Sequence, residues 1–155
     1  MSSGLKWRVI RDGPCTGSQN MALDHALAVC AQESQGVLRL YSWMEATVSL
    51  GRNEPARALY DRANAADQGI EFVRRPTGGR AVLHSNEVTY AIIVPVRALG
   101  GPRASYIEIN RGLAEGLSSI GAAVTVTDHG EVVSPDAGAC FGVPAPGEIM
   151  MGEKK

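Results

Sequence analysis

No apolar run in this chain is long enough to cross a bilayer. The longest, around "YAIIVPV", falls far short of the ~20 residues a spanning helix needs. No basic excess is present either. Fifteen Lys and Arg face 16 Asp and Glu, and the resulting formal charge of -1 gives no reason to expect a nucleic-acid binder, which needs a basic surface against phosphates. Cysteine is scarce: Cys15, Cys30 and Cys140 are odd in number and contain no CxxC pair. That pattern suits a reducing compartment better than a disulfide scaffold. The N-terminal "MSSGLKWRVIRDG" lacks the apolar stretch of a signal peptide, which points to the cytoplasm. Internal repeats and low-complexity tracts are absent. So are the GxxxxGK[ST] phosphate loop, the GxGxxG dinucleotide turn and the GxSxG nucleophile elbow.

What is present fits one soluble domain over residues 1–155, with 45% hydrophobic and 20% charged residues. "KWRVIRD" reads as an opening strand. "NMALDHALAVCAQE" follows as a helix, with Leu23, Leu27 and Cys30 at i, i+4 and i+7 predicting its buried stripe. "GVLRLYSW" and "ATVSLGR" read as two short strands joined by a turn, and "PARALYDRANAADQG" as a shorter helix. "IEFVRR" and "RAVLH" flank a Gly-Gly turn, and "EVTYAIIVP" is a further strand. Tyr106, Ile109, Leu113 and Leu117 mark a second long helix. "AAVTVTD" and a brief strand near "EIMM" complete the pattern. Runs of adjacent strands with short turns predict an α+β fold: a mixed, largely antiparallel sheet with helices packed on one side.

The candidate chemistry starts at "RRPTGGRAVLH", Arg74 to His84. Glycines permit positive φ and remove the Cβ that would block a close neighbour. The turn therefore reads equally as a tight hairpin or as the wall of a ligand site. Arg74 and Arg75, adjacent in a strand, project to opposite faces, so one at most faces a site beside the turn. Arg80 is a further candidate for a carboxylate or phosphate. Cys30, on the helix stripe, reads as a small buried hydrophobe, and Cys15 as a loop thiol. Cys140, in "AGACFGVPAPG", is followed at fifteen residues by Lys155, whose ammonium would lower a thiol pKa. His84 could line a pocket. His25 suits the helix surface and His129 a loop; no pair of histidines has metal-ligand spacing, so no metal site is assigned.

Together these segments resemble the lipoate–protein ligase and octanoyltransferase family, which has the biotin/lipoate ligase-type catalytic fold. "RRPTGGRAVLHSNEVTY", "NMALDHAL", "LRLYSW", "VSLGR" and "CFGVPAPGEIMMGEKK" carry the similarity, in the family's order, from Trp7 to Lys155. It implies a tunnel for an eight-carbon acyl chain, with Arg75, Thr77, Gly78, Gly79, Arg80, Ala81, Val82, His84 and Tyr90 as substrate-binding positions. In the single-cysteine octanoyltransferase branch, Cys140 would carry the octanoyl group as a thioester and Lys155 would assist it. Counting from Glu148 selects Lys155, whereas counting from Gly152 selects Lys154.

The implied partners are octanoyl-acyl carrier protein and a lipoyl carrier domain of the glycine cleavage H protein or dehydrogenase E2 type. The protein would be a monomer with neither nucleic acid nor membrane as partner. That chemistry uses no cofactor. The family's other chemistry is an ATP- and Mg²⁺-dependent lipoate–protein ligase that forms lipoyl-adenylate. A third reading is an inactive fragment, because the sequence stops before the family's Gly-Ser-Ala-Gln segment, which predicts a sheet incomplete at its C-terminal end. Three positions depart from the family pattern. Ser85 stands where Asp commonly follows His, Gly147 where an aromatic is common, and Glu153 where a small Gly precedes the lysine pair.

Overall fold

A computed structural model describes residues 4–55, 60–127 and 147–152. Cys140, His129, Lys154 and Lys155 lie outside the described residues. The chain divides into two compact units, residues 4–95 and a second containing residues 96–155. No described helix is long and apolar enough to cross a membrane.

The first unit holds two three-stranded sheets. One has the order β1 (Lys6–Cys15), β2 (Gln35–Trp43), β6 (Thr89–Ile93), and the other β4 (Glu71–Arg74), β3 (Thr47–Leu50), β5 (Val82–His84). β1 runs parallel to β2, and β3 parallel to β4, whereas β2–β6 and β3–β5 are antiparallel. The α+β class and mixed pairing therefore stand. The tight hairpin between "IEFVRR" and "RAVLH" does not. β4 and β5 never pair with each other, because β3 lies between them and takes both edges. Nor do β2 and β3 pair, since they belong to different sheets. A short connection marks neighbours in sequence; hydrogen-bonding edges choose partners in space.

Helix α1 (Gly17–Val29) begins in a capping box. The Thr16 hydroxyl accepts from the Gln19 N–H, and the Gln19 side chain accepts from the Thr16 N–H. The predicted apolar stripe is not its buried face. Leu23 and Cys30 are exposed, and the helix buries Gly17, Asn20 and Asp24 instead. Asn20 and Asp24 turn inward because of the strand they meet. β2 alternates faces with period two, burying Val37, Arg39, Tyr41 and Trp43, so an arginine occupies a core position.

Arg39 is 0% exposed and fully engaged. Its Nε donates to Asp12 at 2.6 Å, Nη1 to Asp24 at 2.7 Å and Nη2 to the Asn20 side-chain oxygen at 2.8 Å. The guanidinium also lies 4.0 Å from the Tyr41 ring centroid. Burial works against its charge, but the two carboxylates outweigh this and raise its pKa. The Tyr41 hydroxyl donates to the other Asp24 oxygen at 2.9 Å, and burial together with that carboxylate pushes the phenol up. One cation thereby ties β1, α1 and β2 together.

α2 (Arg62–Asp67) is capped by Asp61, whose side chain accepts from the Asn64 N–H at 3.0 Å. In the second unit, α3 (Pro102–Ser119) starts with proline in its first turn, and β7 (Thr125–Val126) pairs antiparallel with β8 (Ile149–Met150). α3 buries Ser105, Asn110 and Ala114. Of its predicted stripe, Ile109 and Leu113 are half-buried, while Tyr106 and Leu117 are exposed.

Replacing Arg39 with Met leaves Asp24 as an uncompensated buried charge. We expect Arg39→Met to lower stability by about 3–5 kcal/mol, read as a lower urea midpoint at unchanged m-value. Adding Asp24→Leu should recover part of the loss, because the stranded charge is then gone.

Candidate functional site

The glycine turn is built from both arginines and from the segment that follows β3. Leaving β4, the Arg75 N–H donates to the Leu50 carbonyl at 3.0 Å, and the Arg52 N–H donates to the Thr77 carbonyl at 2.8 Å. The two turns, residues 51–54 and 75–80, thus lie backbone to backbone. The positive charge at this turn faces carbonyl oxygens. Arg74 donates to the carbonyls of Gly51, Arg52 and Glu54. Arg75 donates to the carbonyls of Ser49 at 2.7 Å, Gly78 at 2.9 Å and Arg80 at 2.6 Å. Five donors on a rigid planar fork can hold several carbonyls at once in fixed directions, where a lysine offers three on a flexible stem.

The close approach that the glycines permit is to this neighbouring backbone. A Cβ on Gly51 would lie 1.8 Å from the Gly79 carbonyl oxygen. Gly79 itself has φ +89°, and a Cβ there would come within 2.8 Å of Arg75 Nη2. Gly78 meets no such neighbour: a Cβ there has open space. Glu54 closes the arrangement. Its carboxylate accepts from the Gly51 N–H at 3.0 Å and from the Tyr60 hydroxyl at 2.7 Å. Partial burial works against the charged form, but these donors outweigh it and hold the pKa below the usual carboxylate range.

Behind the turn sits a polar cluster. Ser49 Oγ lies 2.8 Å from His84 Nε2, and His84 Nδ1 lies 2.7 Å from Glu87 Oε1. The His84 ring stacks on Trp43 at 4.2 Å between centroids and 12° between planes. Arg75 Nη1 reaches Ser49 Oγ at 3.2 Å. Serine, histidine and carboxylate stand in the order of a nucleophilic triad, yet Ser49 is only 1% exposed. An acyl group has no route to that hydroxyl, so this arrangement holds the site instead of attacking a substrate.

The positions named from sequence therefore separate. Thr77, Gly78 and Gly79 form an exposed tip, while Arg75, Arg80, Ala81 and Val82 are half-buried beside it. His84 is buried in the cluster. Tyr90 is 46% exposed on β6, opposite Leu40, in the other sheet from Val82. Ser49, Glu54 and Glu87 were missed. Polar residues in short strands and turns carry no motif of their own, and only the pairing of β3 with β5 brings Ser49 beside His84.

Comparison with known proteins gives a consistent result. The profile of the lipoyl protein ligase A/B catalytic domain matches residues 16–152. Octanoyltransferase LipM of Carboxydothermus hydrogenoformans is 38% identical over 154 residues, covering 96% of this chain and 57% of that protein. LipM of Lysinibacillus sphaericus is 36% identical over 160 residues, covering 96% and 58%. The chain thus spans less than two thirds of the length of these relatives. A solved lipoate-protein ligase A bound with ATP superposes with a TM-score of 0.75 at 22% identity, covering 97% of this chain and 59% of that one. A structure described as a bi-partite lipoate protein ligase and its E2 lipoyl domain, from Thermoplasma acidophilum, gives 0.67 at 20% identity, covering 83% and 52%. At these identities the two structures speak for the fold alone.

The packing of the two turns makes a differential prediction. Gly51→Ala forces a methyl group into the Gly79 carbonyl and should cost about 1–3 kcal/mol in thermal or urea unfolding. Gly78→Ala, with open space at its Cβ, should stay within about 0.5 kcal/mol of the parent.

Proposed function

Because the chain belongs to the lipoyl protein ligase A/B catalytic domain family, we propose that it transfers an octanoyl group to a lysine of a lipoyl carrier domain. The observation that carries this is the similarity to octanoyltransferases across 96% of the chain at 36–38% identity. Cys140, which falls within the span matched by the family profile, is assigned as the nucleophile. Its thiolate attacks the thioester carbonyl of octanoyl-acyl carrier protein. The carbon–sulfur bond to the carrier breaks, the carrier thiolate takes up a proton, and the octanoyl group rests on Cys140. The neutral amine of the carrier-domain lysine then attacks this second thioester, forming the amide and returning the Cys140 thiolate. The proton released by the amine goes to solvent or to a neighbouring base.

Two further roles follow. Lys155 supplies positive charge that favours the Cys140 thiolate. The exposed Thr77–Gly79 tip binds the acyl group, its backbone N–H groups being suited to the negative charge that develops on the carbonyl oxygen. Arg80, Ala81, Val82 and Tyr90 complete the assigned binding positions, while Arg75 and His84 support the tip from behind. This reaction needs neither ATP nor Mg²⁺, because the acyl group arrives already activated as a thioester. We assign the reaction to the cytoplasm, in keeping with an N-terminal "MSSGLKWRVIRDG" that lacks the apolar stretch of a signal peptide.

Incubation with octanoyl-acyl carrier protein in the absence of ATP, followed by digestion and mass spectrometry, tests the assignment. We expect an octanoyl adduct on Cys140 and a loss of transfer of about a thousandfold or more in Cys140→Ala. Lys155→Ala should slow adduct formation more than Lys154→Ala does. An unmodified Cys140, with transfer that requires ATP and free lipoate or octanoate, would replace this reading with the ligase one.

A further inference from the structure

The cluster behind the glycine turn carries a polarity that the family assignment does not explain. Glu87 Oε1 receives two contacts, from His84 Nδ1 at 2.7 Å and from Thr89 Oγ1 at 2.7 Å. Thr89 in turn accepts from the Trp43 indole N–H at 2.8 Å, which commits its own hydroxyl proton to Glu87. A carboxylate can only accept, so His84 carries a proton on Nδ1, and in the neutral ring this leaves Nε2 as an acceptor. Toward that neutral ring Ser49 donates its hydroxyl to Nε2, which turns its lone pairs toward Arg75 Nη1 at 3.2 Å. Every donor in the chain points the same way, from the Arg75 guanidinium through Ser49 and His84 to Glu87. A cation at one end and an anion at the other reinforce that order.

We propose that Ser49, His84 and Glu87 form a positioning relay that fixes Arg75, and through it the shape of the glycine turn. This deepens the acyl-transfer reading and rests on it for the role of the turn. Arg75 Nη1 also holds the Ser49 carbonyl at 2.7 Å, and its other donors hold the carbonyls of Gly78 within the tip and Arg80 just past it. The guanidinium is therefore the hinge pin between relay and turn. Stacking on Trp43 keeps the His84 ring in the plane that both hydrogen bonds require.

The relay is testable by a readout independent of catalysis. Nitrogen-15 NMR of the histidine side chains, assigned with His84→Gln, should show His84 as the Nδ1–H tautomer in the parent. Glu87→Met removes the acceptor from Nδ1, so the Nδ1–H tautomer should lose its preference and the Arg75 Nε–H should exchange with solvent faster. In the transfer assay the same variant should lower kcat by about 10–100-fold, the scale of a misplaced binding group, with KM for the octanoyl donor within about twofold. Glu87→Asp should restore part of kcat.

An Nε2–H tautomer in the parent would overturn the relay. So would a Glu87→Met variant that keeps the parent tautomer in full, or one that loses it without any change in kcat. Failure of the acyl-transfer reading would show separately, as an unmodified Cys140 in a parent whose His84 tautomer is as expected.

Discussion

A buried guanidinium sets the terms for the larger part of this structure. Arg39 stands at a core position of β2, where its neighbours Val37, Tyr41 and Trp43 are apolar or aromatic. Desolvating a cation is tolerable only when its donors are matched and its charge is balanced. Asp12 from β1, and Asp24 and Asn20 from α1, meet that condition. Meeting it dictates which face of α1 turns inward and how closely α1 approaches β2. The exposure of Leu23 and Cys30 follows, because one helix cannot bury two faces against the same strand. Ion pairs of this kind contribute little net stability compared with a well-packed apolar core. They are, however, intolerant of any arrangement in which a partner is missing, and that intolerance selects one packing.

The same physics recurs at the glycine turn with backbone carbonyls in place of carboxylates. Two turns approach so closely that their carbonyl oxygens crowd one region, and Arg74 and Arg75 hold those oxygens from two sides. Among the described residues, no buried side-chain nitrogen or oxygen lacks a hydrogen-bond partner. The polar interior is therefore a matched set and not a collection of exceptions. A binding surface gains from this: a glycine tip with no side chains of its own has its shape set by the groups behind it.

Much of the architecture was legible in the residues. The strand at "KWRVIRD", the helix over "NMALDHALAV" and the strand at "GVLRLYSW" each show within a few residues of chain, and β1, α1 and β2 lie there. Local devices of that range can be read from order alone. The partners of β4 and β5 could not be. "IEFVRR", "TGG" and "RAVLH" have the composition of a hairpin, and nothing in them announces that β3, more than twenty residues earlier in the chain, takes the place between the two strands. The polar face of α1 was equally hidden, since Asn20 and Asp24 read as surface residues until Arg39 is placed opposite them.

By itself the sequence determined the kinds of element, the glycine turn as a place of close approach, and the family, through segments whose order is as informative as their content. Tertiary structure decided what those segments do to one another. "NMALDHAL" and "LRLYSW" interlock through Arg39, while "VSLGR" and "RRPTGG" interlock through Gly51, Gly79 and two arginines. It also brought Ser49, His84 and Glu87 into one line. The reason is one of range. Propensity and capping act over a turn of chain, whereas the matching of a buried charge or a buried hydroxyl requires groups that only the completed packing brings within three ångströms of one another.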